Sequence, residues 1–306
     1  MTADMSNIDA WLQDSRNPGD AGYLPPLYLQ PQYGFVPQKF DGGFPEIRSV
    51  DDKRPASNGT FDFTEFFGAR AVNLQLTLAP EVATEANLTD QKLEDRLKIW
   101  MDPSRRTYLY IRTNPLDDYR RILLRSANAS GQINLVTKTE FRAVSLAWKG
   151  IDGVFESADL QTDVLNPGAA TELGRTYDQA YDKAYAASDT IGSKTIYNYG
   201  TAPTFPRIRI YGPVTGPRIE NATTGDKLEF LAAYALVAGE FLDIDFREGT
   251  VYLNGDPTNS RYDKIDFAGG LSDWWTLIPG PNLVRFYPLI QAAPAQAQID
   301  WRSAYL

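Results

Sequence analysis

The chain has 306 residues, 43% hydrophobic and 12% aromatic, with a net charge of −9 and neither cysteine nor histidine. That length is enough for two domains of ordinary size, each with its own core, and 17 Tyr with 15 Phe suit strands better than helices. Without cysteine or histidine there is no disulfide framework, thiolate or ordinary zinc site, thiol nucleophile or Ser-His-Asp triad, and the acidic balance argues against nucleic acid or an anionic membrane as a main partner.

What survives is chemistry run by carboxylates, Lys, Tyr or oxygen-bound Ca²⁺ and Mg²⁺. No apolar run approaches the roughly 20 residues that span a bilayer, and MTADMSNIDAWLQDSRNPGD lacks the basic start and apolar stretch of a signal peptide. Synthesis and folding in a cytoplasm are therefore expected. In that setting the Asn-x-Ser/Thr matches at Asn58, Asn87, Asn128 and Asn221 are chance.

In chain order, residues 1–45 are rich in Pro, Gly, Gln and Tyr and read as an extended N-terminal arm. The arm either lies on its own subunit or packs its aromatics on a neighbour. Residues 46–155 read as a first β-sandwich. From Ala69 to Leu78, Val72, Leu74, Leu76 and Leu78 alternate with polar residues, as in a half-buried strand. Leu93, Leu97 and Trp100 then mark one stripe of a helix, with Thr89 as N-cap, Asp90 in the first turn and Pro103 preventing continuation. Strands are expected at Thr107–Arg112, Arg121–Arg125, Gln132–Val136 and Phe141–Trp148. The domain is thus a sandwich carrying a single helix. The basic residues Arg105, Arg106, Arg120, Arg121 and Arg125 suggest an anionic ligand, but with Asp117 and Asp118 close by they read first as a solvated or subunit-facing surface.

Residues 156–200 read as a connector, with Tyr177, Tyr181 and Tyr185 at the spacing of a short helix. Gly192-Ser193-Lys194-Thr195 lacks the upstream glycine of a phosphate-binding loop and is not taken as a nucleotide site. Residues 201–306 read as a second, all-β domain. Ile208 and Ile210 alternate with Arg207 and Arg209; Leu242, Ile244 and Phe246 alternate with Asp243 and Asp245; Val251 and Leu253 lead into Asn254-Gly255.

Asp243 and Asp245, two apart on one strand with Glu240 and Glu248 nearby, are the residue types of a carboxylate glycosidase or a Ca²⁺ site, but they read first as the solvent side of a strand. Trp274 and Trp275 suggest sugar stacking; as neighbours on a strand they are expected to face opposite sides, with at most one in the core. Gly280 in Pro-Gly-Pro-Asn is expected to form a turn rather than an anion cradle. No catalytic, cofactor-binding or metal-ligating residue is assigned.

Four stretches of this domain resemble the siphophage distal tail proteins, a phage tail-component family: PRIRIYGPVTGPRIENATTGDKLEF, GEFLDIDFREGTVYLNG, SDWWTLIPGPNLVRF and AQAQIDWRSAYL. LEDRLKIWMDPSRRTYLYIR is similar to the helix and following strand of the family's first domain. The resemblance implies a mainly β protein of two sandwiches, the first a ring-forming belt with one helix and the second galectin-like. It implies a structural virion protein, not an enzyme, forming a hexameric ring at the distal end of a long non-contractile tail. Its expected partners are further copies of itself, the tail tube protein, the tail hub or tip protein and receptor-binding proteins, with DNA passing through the lumen. The rival readings are a carbohydrate-binding module and a tail-associated glycosidase.

Overall fold

The computed structural model describes residues 8–48, 52–53, 60–61, 66–126, 136–138, 141–167, 192–267, 272–292 and 294–306. The chain is mainly β with one α-helix among these residues. It divides into two compact units, Met1–Ala158 with Tyr305–Leu306, and Asp159–Ala304. No helix among the described residues is long and apolar enough to cross a membrane.

In the first unit an antiparallel path runs in the order Leu27–Tyr28, Asp9–Asp14, Thr107–Arg112, Arg120–Ser126, Phe141–Gly150, Phe66–Leu78 and Phe35–Asp41. Strand periodicity sends Leu12, Leu109, Ile111, Ile122, Leu124, Val144, Leu146, Val72, Leu74 and Leu76 to one core, nearly inaccessible to solvent. The helix Asp90–Trp100 closes that core with Leu93, Leu97 and Trp100. Thr89 Oγ1 accepts from the Lys92 N–H at 3.3 Å, the expected cap, and Asp90 sits in the first turn.

The N-terminal segment departs from the extended arm expected for residues 1–45. Asp9–Asp14 pairs along its whole length with Thr107–Arg112, and Phe35–Asp41 pairs with Phe66–Leu78. Ala10, Leu12, Leu29 and Phe35 are fully buried. Proline content masked two ordinary strands: Pro37 sits beside a register shift, where a missing N–H breaks no regular ladder. The strand expected at Gln132–Val136 falls outside the described residues except at Val136, which begins Val136–Lys138.

The second unit is a two-sheet sandwich. One sheet has the order Gln161–Leu165, Gln296–Trp301, Arg207–Tyr211, Phe241–Asp245, Thr250–Leu253. The other runs Gly192–Asn198, Gly280–Phe286, Arg218–Asn221, Asp226–Glu229. Between them Ile208, Ile210, Leu242, Ile244, Ala297 and Ile299 meet Ile196, Ile219, Leu228, Val284 and Phe286. Asn254 and Gly255, expected to turn the chain, have φ of 54° and 69°, the pair of left-handed residues that such a turn demands.

The connector expected at 156–200 supplies a strand at each end. Gln161–Leu165 and Gly192–Asn198 are edge strands of the two sheets of this second unit. The helical spacing of Tyr177, Tyr181 and Tyr185 lies outside the described residues. Gly192-Ser193-Lys194-Thr195 pairs residue by residue with Phe286 to Leu283, so this backbone is strand and not a phosphate loop.

Candidate functional site

The two aspartates singled out in the sequence lie together on the outer face of the five-stranded sheet, and each has a structural task. Asp243 is opposite Arg209 and next to Arg207 across the strand pair. Its Oδ1 accepts from Arg207 Nε at 2.8 Å and its Oδ2 from Arg207 Nη2 at 2.5 Å, with Arg209 Nε 3.6 Å away. The hydrogen bond to Asp243 raises the Arg207 guanidinium above its ordinary value, against the effect of burial.

Asp243 was expected to face solvent and is instead only 5% exposed. The long Arg stems cover it, which strand alternation alone does not show. Asp245 points the same way but accepts from the N–H groups of Arg247 (2.9 Å) and Glu248 (3.1 Å), shaping the turn into Thr250. These residues, with Thr250 and Tyr252, border a cleft of about 260 Å³. Among the described residues no group of three or more Asp or Glu is placed to hold a metal ion.

Trp274 and Trp275 lie outside the strands. Both rings meet Phe246, at 5.5 Å edge-on and 4.6 Å tilted respectively. Trp275 is in the core, while Trp274 is half-buried, stacked on Tyr262 and lying over Gly249. Only one of the pair is in the core, as expected, and burial alternates from Trp274 to Ile278 although the segment is not a strand.

Three buried asparagines, not recognised from the sequence, fasten the loops of this unit. Asn198 donates to the carbonyls of Ala202 (2.8 Å) and Leu277 (3.0 Å), and Asn221 donates to Thr276 O and Asn282 Oδ1, both at 3.1 Å. Asn282 bonds both ways with Ile278 and donates to Gly280 O, which closes the expected Pro-Gly-Pro-Asn turn with Gly280 at φ 93°. Asn221 thus serves as an internal clamp. Of the other Asn-x-Ser/Thr matches, Asn58 and Asn128 lie outside the described residues, and Asn87 sits at φ 59°.

In the first unit three of the five arginines have separate partners. Arg105 Nη1 donates to Asp14 Oδ2 at 2.6 Å, and Arg121 binds Glu156 through Nε and Nη2 (3.0 and 2.8 Å) beneath its contact with the Tyr108 ring. Arg120 lies over the Tyr305 ring at 4.1 Å. Asp14 is buried at the end of its strand. Burial would raise its pKa, but the Arg16 side chain and N–H and the Leu24 N–H outweigh that and hold it at about 2.

On the outer face of this unit Trp11 stacks on Tyr110 (4.7 Å, 6°) and meets Tyr119 edge-on at 4.8 Å. Asp9 accepts from Gln30, from the Tyr119 hydroxyl and from Arg112 at 3.1 Å. Burial and this bond to Asp9 push the Tyr119 hydroxyl above its ordinary value, keeping it a donor.

Residues 199–305 match the family model of the siphovirus-type tail component, C-terminal domain. The whole chain superposes on the SPP1 Dit (gp 19.1) protein, described as a paradigm of hub adsorption apparatus in Gram-positive infecting phages. The TM-score is 0.58 at 14% identity, covering 97% of this chain and 99% of that one. The fold of the chain is Dit-like. A component of the phage P2 baseplate in its activated conformation with Ca also matches, at a TM-score of 0.47 and 10% identity over 96% of this chain and 97% of that one. No curated protein matches the chain as a sequence relative.

Within the Dit-like C-terminal domain the motifs quoted from the sequence are architectural. Arg218–Asn221 and Asp226–Glu229 form the hairpin around Thr224-Gly225, with Gly225 at φ 85°. The strand of SDWWTLIPGPNLVRF is Gly280–Phe286, and that of AQAQIDWRSAYL is Gln296–Trp301. The residues carrying the resemblance are turn formers, core aliphatics and clamping asparagines.

Proposed function

We propose that this chain is a structural protein of a long non-contractile phage tail. It forms a hexameric ring at the distal end of the tail and joins the tube to the baseplate or tip and its host-recognition proteins. One observation carries the reading: the C-terminal third matches a tail-component domain, while the fold as a whole follows the SPP1 Dit protein from end to end.

The site residues support a role in assembly rather than catalysis. Asp243 has both oxygens on Arg207, and Asp245 is committed to a turn. A ring closed by head-to-tail contacts needs two different complementary patches on each subunit. The first unit, the belt of this reading, is where they are assigned. The net charge of −9 suits a lumen through which DNA passes without being gripped. Negative-stain images of the purified chain test this reading. Six-fold rings with a central opening support it, and a homogeneous population of single subunits contradicts it.

A further inference from the structure

The outer face of the first unit combines an aromatic row with a polar cleft. Along Asp9–Asp14 the core takes Ala10 and Leu12, so Asp9 and Trp11 point outward. Register places Tyr28 on one side of Trp11 and Tyr110 on the other, and Tyr33 stacks on Tyr28 at 5.3 Å. Tyr28 and Tyr33, at the open end of the row, are 39% and 38% exposed.

At the margin of this row is a cleft of about 460 Å³. Asp9 and Arg112 line it together with the Gln30–Gln32 turn on one element and Pro115 on another. Its polar groups are already oriented. Gln32 Nε2 donates to Gln30 Oε1 at 3.0 Å, Gln30 donates to Asp9, and the Arg112 guanidinium is held by Asp9 and the Tyr119 ring. The charges of Asp9 and Arg112 offset each other, so the cleft favours neither a cation nor an anion.

We propose that this cleft and its aromatic rim bind a neutral saccharide. Flat ring faces take the apolar C–H face of a pyranose, while planar amide and guanidinium groups pair with its hydroxyls in fixed directions. The volume is that of a small-ligand site and accommodates one or two sugar rings. A proline-rich peptide is the other ligand of aromatic grooves, but it needs rings along the groove itself. Here Asp9, Arg112 and the glutamines line the cleft and the tyrosines stand beside it.

Saturation-transfer NMR on the full chain tests this, with glucose, galactose, N-acetylglucosamine, rhamnose, maltotriose and chitotriose as probes and a proline-rich decapeptide as competitor. Saturation transfer to at least one sugar is expected. Tyr28→Ala and Gln32→Ala, both at exposed positions and verified as folded by circular dichroism, are expected to weaken that binding about tenfold or more. Trp274→Ala in the second unit is expected to leave it unchanged. The proposal is overturned by no transfer from any sugar at millimolar concentration, by transfer that survives both substitutions in the first unit, or by binding of the peptide alone. The proposal does not rest on the ring: it is read from sugar binding, whereas the ring is read from particle images.

Discussion

Asp14 in the first unit and Asp243 in the second show what a single buried carboxylate does within its own unit. Asp14 is pulled well below the ordinary carboxylate value of 3.8, to about 2. Its contribution is therefore present above about pH 4 and is lost as pH falls toward 2. With Asp14 buried but Arg16 partly exposed, the contribution is about 1–2 kcal/mol. Acid titration of chemical stability is expected to show this loss between pH 4 and 2, and Asp14→Asn should remove that part of the dependence. An unchanged acid limb in the variant would contradict the assignment.

Asp243 and Asp245 separate by the same reasoning. Asp243→Asn removes the charged partner that Arg207 and Arg209 share and should cost about 1–2 kcal/mol in urea unfolding. Asp245→Asn keeps a side-chain oxygen for the turn and should cost under about 0.5 kcal/mol. Equal losses at both positions would argue against these separate roles. The sequence displayed this pair as one feature because spacing reports which face a residue is on and not what covers it.

At the scale of elements, the helix was the most legible part of the chain. Its apolar stripe, its cap and its stop all sit within a few residues of one another, so local chemistry decides them. Thr89→Ala removes one capping acceptor and should lower stability by about 1 kcal/mol, read as a fall of a few degrees in Tm. No shift would mean that the Leu93, Leu97 and Trp100 contacts alone fix this end.

Strands with clean alternation were equally readable, from Val72 to Leu78 and from Ile208 to Ile210. The N-terminal strands were not. Asp9–Asp14 has only two core side chains of its own, Ala10 and Leu12, apart from buried Asp14, and its pairing partner lies almost a hundred residues away. Long-range pairing of this kind leaves no local signal. The same holds for Trp274 and Trp275, whose shared contact with Phe246 depends on an irregular segment brought there by tertiary structure.

At the scale of the molecule, fold class and two-part construction followed from alternation, turn residues and composition, and the tail-component resemblance of the C-terminal part follows from the same turns and core positions. The candidate surfaces were far less legible. Three of the arginines of the first unit are neighbours in sequence yet have separate partners, and the aromatic row joins Trp11, Tyr28, Tyr33 and Tyr110 only through strand register. Surfaces of this kind are products of topology, which spacing does not encode.

The central claim is assembly, and native mass spectrometry of the purified chain at micromolar concentration tests it most directly. A closed species of six 34.2 kDa chains, about 205 kDa, is the predicted result. A stable monomer at that concentration, with no higher species, would contradict the ring.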